Sequence, residues 1–481
     1  MPLIIFNMSR FAFTALIAFA FTSQPVFSDN WAVLIAGSNT YDNYRHQSDV
    51  CHAYQTLRKN GIKADNIITF IYDDVAQNVD NPYPGQIFNH PSTGKGTDVY
   101  ANCKKSYTGK DVSSVNFLNV LRGNTTAMAG IGSGEVLKSN SSDNVFIAYH
   151  DHGGFQILAM PDSSDYLYAT DLNDTLNYMY ENHMYQRLVL YIEACQSGSM
   201  FDGIISDKIN TYVTTASGPQ EDSWGWFCPG GGAAPQDPGS VVNGKDLGSC
   251  LGDLYSIVWL QNTDANGTYQ SLESQYNTVA NQTFLSHVMQ YGDLSFTKTA
   301  SVGSFLGSNK KQKQKQKQKQ QFRSQNLYLP TKNPLGPRDA SFFSLVYRWY
   351  NSNTFDNSWF VKSTSILIEL RKRAIWEKTM FAFSPINELV YPINMTCYRS
   401  VNSNLPRTEC GPYRDWTLQF SQYIAPLCNS LTADEILTHI TPLCTKAAIE
   451  VNRTIVDAIL YKMYNESSSA INLFTELISL V

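Results

Sequence analysis

Short runs of apolar residues recur through the first three hundred positions, and polar or glycine-rich segments separate them. Continuous apolar runs of this length are typical of strands that are buried on both faces of a parallel sheet. The runs predict strands at residues 31–37, 66–74, 144–150, 188–194 and 211–217. Amphipathic segments predict helices at residues 50–59, 113–121, 171–185 and 270–290. Because strands and helices alternate, we expect an α/β domain with a predominantly parallel sheet flanked by helices.

Two of the predicted strands end in residues that can carry out chemistry. The strand at 188–194 leads into Cys195, and the strand at 144–150 leads into Asp151, His152 and two glycines. Open α/β sheets bind their ligands at the carboxyl ends of their strands. If these two strands are neighbours, a thiol and an imidazole share one sheet edge, as nucleophilic catalysis by cysteine requires. A lone cysteine after a strand is more often a small buried side chain, so the pairing is a hypothesis at this point.

The size and charge of the chain narrow its class. Its 481 residues are too many for one ordinary domain, and its formal net charge of −5 argues against nucleic-acid binding. An apolar stretch at 11–22 follows Arg10, which predicts a signal peptide over residues 1–28 with cleavage after Ser28. This stretch is too short to span a membrane, and so is every later one. We therefore expect a soluble protein of the secretory pathway, either secreted or held in a lysosome or vacuole.

Acceptor triplets for N-glycosylation agree with that route. They begin at Asn124, Asn140, Asn173, Asn266, Asn281, Asn394, Asn452 and Asn465.

The composition changes beyond about residue 303. Residues 310–321 are almost entirely lysine and glutamine, which predicts a solvated linker of low complexity. The chain then becomes helical in character, and Thr432 with Glu435 matches a capping box that opens a helix. We divide the mature chain into an α/β domain at 29–303, a linker at 304–337 and an all-α domain at 338–481.

The chain holds nine cysteines, so at least one is unpaired in an oxidising compartment. Cys195 is our choice for the unpaired thiol. Cys228 and Cys250 flank a loop rich in glycine and proline and are placed to staple it, whereas Cys51 and Cys103 are either free or paired. The remaining four cluster late in the chain, at Cys397, Cys410, Cys428 and Cys444. No cysteine spacing matches a zinc site, and we expect neither a metal nor another cofactor.

Several segments together resemble the legumains, which are asparaginyl endopeptidases of caspase-like fold. They are AGSNTYDNYRHQSDVCHAY (36–54), DNPYPG (80–85), YTGKDV (107–112), VLRGN (120–124), GSGEVLKS (132–139), DHG (151–153), YIEACQSGSM (191–200), CLGDLYS (250–256) and SHVMQYGD (286–293). They follow the family order and cover most of residues 30–300, so the resemblance is specific.

The resemblance implies a caspase-like α/β domain with a predominantly parallel sheet, followed by an all-α, disulfide-stapled C-terminal prodomain. The prodomain would inhibit the enzyme until activation. The resemblance further implies the disulfides Cys397–Cys428 and Cys410–Cys444, and an activation helix at residues 338–351.

The resemblance also implies a set of catalytic residues. Cys195 is the nucleophile, His152 is the base that activates it, and Asn43 orients the imidazole. The backbone N–H groups of Gly153 and Cys195 form the oxyanion hole, where loss of one donor typically costs about 3–4 kcal/mol in the barrier. His150, inside the strand, is the alternative base.

The family match selects five residues for the specificity pocket, and their chemistry suits an asparagine side chain. A carboxamide offers one acceptor oxygen and one donor NH₂ group. Arg45 and His46 can donate to the oxygen, Glu193 and Asp253 can accept from the nitrogen, and Ser223 can do either. Glutamine is one methylene too long, and a charged aspartate would be repelled unless acid pH protonates it. Without the family match, an ordinary ion pair between Arg45 and Glu193 is an equally good interpretation.

We therefore expect a cysteine endopeptidase, made as a zymogen, that cleaves protein and peptide substrates after Asn, and after Asp at acid pH. Asn309 and Asn326 are the expected processing sites. Asn333 is set aside, because the following Pro334 makes that peptide bond a poor substrate. The resemblance also implies that Asp151 can cyclise to a succinimide. The expected partners are such substrates and the chain's own prodomain, with neither nucleic acid nor a membrane span.

Three alternatives remain from the sequence. The same acyl-enzyme can pass to a peptide amine, which would make the protein a ligase. A subunit resembling the GPI transamidase is a second alternative, although that relative usually carries a membrane span. The third is a non-catalytic binding protein on a decayed peptidase fold. The VLRGN segment (120–124) departs from the RGD of some relatives, which argues against integrin-type binding.

Overall fold

The computed structural model describes residues 28–230, 239–266, 269–308, 336–351, 357–383, 393–411, 413 and 417–465. The predicted signal peptide up to residue 27, the tract at 310–321 and the expected processing sites Asn309 and Asn326 lie outside these residues. Among the helices within them, none combines the length and the apolar character that crossing a bilayer requires.

A six-stranded sheet forms the centre of the first domain. Its strands are β1 (Asn30–Ala36), β2 (Ile67–Phe70), β3 (Asn144–His150), β4 (Arg187–Glu193), β5 (Thr211–Thr215) and β6 (Met289–Gly292). The spatial order is β6-β5-β4-β3-β1-β2, and only β6 runs antiparallel to its neighbour. All five strands that the apolar runs predict are present, although β2 ends at Phe70 rather than at residue 74.

Five helices flank this sheet. They are α1 (Tyr44–Lys59), α2 (Ser114–Leu121), α3 (Ala169–Glu181), α4 (Leu254–Asn266) and α5 (Leu272–Gln282). Short antiparallel strands add two small sheets near the edge, at Gly153–Gly154, Ile157–Ala159 and Tyr166–Tyr168, and at Gly225–Trp226 and Gly252–Asp253. A further two-stranded sheet joins Val241–Val242 to Lys245–Asp246.

Three predicted helices have wrong boundaries. The helix predicted at 171–185 spans Ala169–Glu181. α1 begins at Tyr44 rather than at Val50, because its first polar residues are buried and hydrogen-bonded instead of forming a solvated loop. The helix predicted at 270–290 ends at Gln282, and Met289 to Gly292 pair with β5 as a strand. α4 was not predicted, since its apolar run lacks a clear helical periodicity.

Alternate residues of the strands pack into two hydrophobic layers on opposite faces of the sheet. Ala32 and Leu34 of β1 join a core with α1, α4 and α5, whereas Val33 and Ile35 join a core with α2 and α3. Successive side chains of a strand point to opposite faces, so a continuous apolar run fills both layers. The sheet is therefore covered on both faces, which leaves its strand ends as the place for a site.

The last part of the chain is helical. Its longer helices are α6 (Pro337–Tyr350), α7 (Asn357–Phe383), α8 (Met395–Asn404) and α9 (Ala433–Asn465). The predicted capping box opens α9, because Thr432 N donates to Glu435 Oε2 at 2.8 Å and Glu435 N donates to Thr432 Oγ1 at 3.3 Å. The N-terminal boundary of this helix was thus predictable from two residues.

The helical domain shares a core with the α/β domain. Trp376, Tyr398 and Ile436 pack in one buried cluster with Phe155 and Tyr168 of the α/β domain. The two parts of the chain thus meet through apolar side chains next to the strand ends.

Eight of the nine cysteines form disulfides. The pairs are Cys51–Cys103, Cys228–Cys250, Cys397–Cys428 and Cys410–Cys444, and Cys195 is free. The two pairs implied by the family resemblance are present in the helical domain. The state of Cys51 and Cys103, which the sequence left open, is a bond that ties α1 to the segment after Tyr100.

Candidate active site

The thiol and the imidazole lie at the same edge of the sheet. β3 and β4 are neighbours, with His150 in register with Glu193, and Asp151 N donates to the Glu193 carbonyl oxygen at 3.1 Å. His152 and Cys195 each follow two residues beyond this register pair. A Cβ atom placed on Gly153 would collide with the carbonyl oxygen of Cys195, so the two strand ends are in direct contact. Glycine is therefore the residue that fits beside the Cys195 backbone.

Asn43 fixes the tautomer of His152. The Asn43 Nδ2 group donates to the carbonyl oxygen of Asn39 at 3.2 Å, which points Oδ1 at the histidine. His152 Nε2 lies 2.9 Å from this oxygen and must donate to it, because an amide oxygen only accepts. The remaining nitrogen, Nδ1, is then the atom that can take a proton from a thiol.

Cys195 is fully buried and holds a neutral thiol. The Ser223 backbone N–H donates to its Sγ at 3.4 Å, and Ser223 Oγ lies 4.0 Å from the sulfur. Burial raises the pKa of Cys195 to about 12, although Arg338 opposes this increase. The sulfur is thus held in its unreactive form in this covered state, because the thiolate is the nucleophile.

His150 lies in a different environment from His152. Its Nδ1 is 2.9 Å from Ser256 Oγ, and its ring faces Trp259 of α4. Burial lowers its pKa to about 3, so the ring is neutral. The His150 side chain packs against α4, whereas the His152 side chain bonds Asn43.

The five residues expected to form a pocket lie together behind the strand ends. Arg45 Nε donates to Asp253 Oδ1 at 2.9 Å, and both side chains are buried. His46 Nε2 lies 3.5 Å from Asp253 Oδ2, whereas Glu193 Oε2 accepts from Ser256 N and Ser256 Oγ, both at 3.0 Å. Arg45 thus forms an ion pair with Asp253, one of the two acids expected to line the pocket.

Burial dominates the electrostatics of these acids. It raises the pKa of Glu193, and the nearby carboxylate of Asp253 raises it further. Burial also raises the pKa of Asp253, although the guanidinium of Arg45 lowers it in part. The pKa of His46 is lowered by burial and then by Arg45. Burial therefore disfavours the charged forms of Glu193 and His46, whereas Arg45 partly stabilises the Asp253 carboxylate.

Comparison with known proteins assigns the family. A family model described as the peptidase C13 family matches residues 30–308. The chain belongs to the peptidase C13 family. The vacuolar-processing enzyme of Vicia sativa is 44% identical over 324 residues, which cover 66% of this chain and 62% of that protein. The chain thus spans less than two thirds of the length of this relative in the matched region.

Other relatives match over different lengths. The vacuolar-processing enzyme of Glycine max is 37% identical over 441 residues, covering 85% of this chain and 84% of that protein. The legumain of Canavalia ensiformis is 48% identical over 275 residues, covering 56% of this chain and 55% of that protein. The family seen in the sequence is thereby confirmed. Neither name refers to a ligase or a transamidase.

A solved structure shows a weak likeness. Caspase-1 from Spodoptera frugiperda has a TM-score of 0.33 and 11% identity, and the match covers 59% of this chain and 92% of that one. The caspase-like α/β class rests instead on the family match and on the observed sheet with its flanking helices.

The helical domain of this peptidase C13 chain lies directly on the site. Arg338 of α6 pairs with Asp222, and its Nη2 donates to the Gly153 carbonyl oxygen at 3.3 Å. Ser341 Oγ donates to Asn43 Oδ1 at 2.6 Å. A residue expected to orient the imidazole is therefore bonded to α6 as well.

Further contacts attach the helical domain around the site. Arg348 Nη2 lies 2.6 Å from Asp42 Oδ1, and its Nε lies 3.2 Å from Asp80 Oδ2. Arg399 Nη2 lies 2.6 Å from Asp171 Oδ1. Basic residues of the helical domain thus meet acidic residues of the α/β domain at several points.

One group of side chains has the spacing of a metal site. Among the described residues, His46, Asp151 and His152 offer ligand atoms that lie within 4.8 Å of one another. These residues already contact one another or their neighbours, since His46 Nδ1 is 3.1 Å from Asp151 Oδ1 and 2.6 Å from Ser38 Oγ. The cluster is accounted for as part of the hydrogen-bonded site.

Some residues near the site were missed from the sequence. Ser256 bonds both Glu193 and His150, and Asp49 accepts from the Asp253 backbone N–H at 3.1 Å. Ser341 contacts Asn43 across more than 290 positions of the chain. No local pattern marks these residues, because their partners are brought close only by the folded sheet.

Proposed function

We propose that this protein is a cysteine endopeptidase that cleaves peptide bonds after asparagine and is made as a zymogen. The single observation that carries the proposal is the contact between the His152–Gly153 strand end and Cys195, in a chain of the peptidase C13 family. Relatives named legumain and vacuolar-processing enzyme support a role in proteolytic processing.

The reaction begins with a proton transfer. His152 Nδ1 takes the proton from Cys195 Sγ, while Asn43 holds the Nε2–H and stabilises the imidazolium that forms. The thiolate attacks the backbone carbonyl carbon of the asparagine residue. The charge on the resulting oxyanion is stabilised by the backbone N–H groups of Gly153 and Cys195.

Breakdown of the intermediate completes the cleavage. The protonated His152 donates its proton to the leaving amine, which frees the C-terminal fragment and leaves a thioester on Cys195. Water, deprotonated by the same imidazole, then attacks the thioester and releases the acid. His152 thus acts first as base, then as acid, and then as base again.

The pocket chemistry supports a preference for asparagine. Arg45 and His46 supply donors for the carboxamide oxygen, Glu193 and Asp253 supply acceptors for its NH₂ group, and Ser223 can adjust to either. An unpaired buried polar group costs about 1–3 kcal/mol, so a side chain that leaves these groups unmatched is disfavoured.

Aspartate is the expected second substrate in acid. A carboxylate would bring a negative charge next to Glu193 and Asp253, whereas its protonated form resembles the carboxamide in shape and in hydrogen bonding. We therefore assign cleavage after aspartate to the pH range in which that side chain is protonated.

The helical domain is the proposed inhibitor of the zymogen. Arg338 and Ser341 occupy the space beside Gly153 and Asn43, where substrate must bind. The ion pairs of Arg348 with Asp42 and Asp80 help to hold the helical domain on the site. We propose that the helical domain is released in acid. We propose domain boundaries at 28/29, 303/304 and 337/338, with processing after Asn309 or Asn326 and a vacuolar, lysosomal or secreted location.

Asp151 is the proposed site of succinimide formation. Its side chain is buried, and the backbone nitrogen of His152 is the atom that would attack the carboxyl carbon with loss of water. Intact-mass measurement of the activated protein and of an Asp151→Ala variant tests this, with loss of one water expected only for the former.

The experiment that tests the function is autoprocessing in acid. The purified zymogen and its Cys195→Ala variant are acidified, and the new chain ends are sequenced. We expect ends after Asn or Asp in the wild type and an intact chain in the variant. Cleavage at other residues in a Cys195-dependent reaction would contradict the proposed specificity. Autoprocessing of the purified Cys195→Ala variant would contradict the assigned nucleophile.

A further inference from the structure

A chain of hydrogen bonds runs from the surface to Asp253 behind the proposed pocket. Asn89, whose side chain is 2% exposed, lies at its centre. Its Nδ2 group donates to Asp49 Oδ1 at 2.7 Å, to Ser48 Oγ at 2.9 Å and to the Leu251 carbonyl oxygen at 3.0 Å. This one amide therefore ties α1 to the segment that leads into Asp253.

The segment that carries Asp253 is closely held by these groups. The Asp253 backbone N–H donates to Asp49 Oδ2 at 3.1 Å. A Cβ atom on Gly252 would lie 2.8 Å from both Asn89 Nδ2 and Asp49 Oδ1. Asp253 in turn accepts from Arg45 Nε at 2.9 Å. A shift of Asn89 would therefore change the separation between the two groups proposed to bind the carboxamide.

His52 holds the other end of Asn89. Its Nδ1 is 2.6 Å from Asn89 Oδ1, and its Nε2 is 3.0 Å from Asp264 Oδ2. Both oxygens are acceptors, since Asn89 Nδ2 already donates elsewhere. A neutral imidazole has one N–H, so only the doubly protonated ring can donate to both. The His52 side chain is 17% exposed and can exchange protons with solvent.

Charged and titratable groups surround His52 on three elements. Asp264 belongs to α4, and Lys59 of α1 bonds its other oxygen at 3.1 Å. Asp49 of α1 is reached through Asn89, and His90 follows Asn89 on its loop with a pKa that burial lowers. Burial alone would raise the pKa of Asp264, but hydrogen bonds and charges from His52 and Lys59 outweigh it and lower the pKa. Asp264 thus stays ionised.

We propose that His52, acting through Asn89, is a positioning residue that sets the geometry of the asparagine pocket according to pH. In acid the charged ring holds Asp264 and Asn89 together, and the wall at Asp253 is fixed. When the ring loses a proton it keeps the stronger, charge-assisted bond to Asp264. Asn89 Oδ1 then loses the bond from His52, and only the Nδ2 bonds still hold the Asn89 side chain. The inference rests on the proposed function, because it concerns the same pocket.

The test is a pH profile of KM and kcat on a fluorogenic asparagine peptide, with enzyme activated beforehand. The variant is His52→Gln, and the matched control is His183→Asn, an exposed histidine in a left-handed conformation that asparagine tolerates. We compare the factor by which KM rises between about pH 5 and about pH 8. We expect this factor to be about five times larger for the wild type and the control than for His52→Gln. That factor corresponds to one ordinary net hydrogen bond, and kcat should change alike in all three.

A second variant and a second measurement guard against misfolding. Asn89→Ala should raise KM at every pH and remove the extra pH dependence. Labelling of Cys195 by iodoacetamide does not use the pocket, so both variants should react at the wild-type rate. Equal KM profiles for wild type and His52→Gln would overturn the inference, and so would loss of Cys195 labelling in both variants. If the wild type does not cleave after asparagine, the proposed function fails instead.

Discussion

At the scale of single residues, burial decides which protonation state each side chain of the site adopts. The Cys195 thiol and the Glu193 carboxyl are both removed from water, and burial raises the pKa of each. His152 has its tautomer set by Asn43, so the proton acceptor is defined before substrate arrives. The proposed nucleophile is therefore protonated in this covered state.

The raised pKa of Cys195 predicts a specific pH dependence of its labelling. In the zymogen the thiol ionises only near pH 12, so the thiolate fraction at neutral pH is very small and grows tenfold with each pH unit. We expect iodoacetamide to label zymogen Cys195 slowly, and to label it much faster once the helical domain has been removed. Mass spectrometry of the peptide containing Cys195 measures both rates.

The control for this labelling is Cys195→Ala, in which the other eight cysteines are in disulfides and should not react. Equal labelling rates for zymogen and activated enzyme would contradict the statement that burial silences the thiol.

The sequence predicted the residue types of the site better than their contacts. The apolar runs placed Cys195 and the segment with His150 and His152 at strand ends, where the structure has them. The choice of His152 as base, and of Asn43 and the pocket residues, came from the family resemblance and stays a prediction. The bonds from His52 to Asn89 and from Ser341 to Asn43 had no sequence signal. Such contacts depend on which elements become neighbours, and local patterns do not carry that information.

At the scale of elements, the apolar runs alone were enough to predict the positions of the central strands but not of every helix. β3 and β4 consist of continuous apolar residues that fill two layers, so their positions were predictable to within a residue. The start of α1 was missed because Arg45, His46 and Asp49 are polar yet buried. A buried polar helix start contradicts the usual amphipathic pattern, and here it supplies the proposed pocket.

The two disulfides of the α/β domain allow a prediction at this scale. Cys51–Cys103 closes a separation of 52 residues, and Cys228–Cys250 closes one of 22. Because a cross-link restricts the unfolded chain more when its loop is longer, replacing the pairs by alanine should cost about 4 and about 3 kcal/mol respectively. Urea unfolding of both double variants in a Cys195→Ala background measures the difference.

All four cysteines are almost fully buried, so the cavities left by alanine are comparable between the two variants. A larger loss of stability for the Cys228 and Cys250 pair would contradict the expected dependence of stability on loop length.

At the scale of the whole molecule, the helical domain and the α/β domain share apolar contacts and ion pairs around one site. Arg348 of the helical domain contacts Asp42, Asp80 and the Gly248 carbonyl oxygen of the α/β domain. Burial lowers its pKa, but Asp42 and Asp80 outweigh that effect and raise it. The guanidinium therefore keeps its charge in this contact.

Arg348→Ala should release the helical domain at a higher pH than in the wild type. The change removes the Arg348 contacts with Asp42 and Asp80 across the interface, whose acids are partly exposed, and so weakens the attachment of the helical domain. We expect autoprocessing of the variant to begin nearer neutral pH, as followed by gel analysis across a pH series.

The matched control is Arg371→Ala, which removes a half-exposed arginine that bonds Glu409 within the helical domain. An unchanged onset for Arg348→Ala, or an equal shift for both variants, would contradict the role of this ion pair in holding the zymogen closed.

The most direct test of the central claim is cleavage of matched fluorogenic peptides that differ only in asparagine, aspartate or glutamine before the scissile bond. The account predicts that activated enzyme prefers asparagine over glutamine by about ten- to two-hundredfold in kcat/KM. It also predicts that aspartate is cleaved only in acid, and that Cys195→Ala and His152→Ala are inactive on all three peptides. Equal cleavage of asparagine and glutamine peptides, or activity retained without Cys195 or His152, would contradict it.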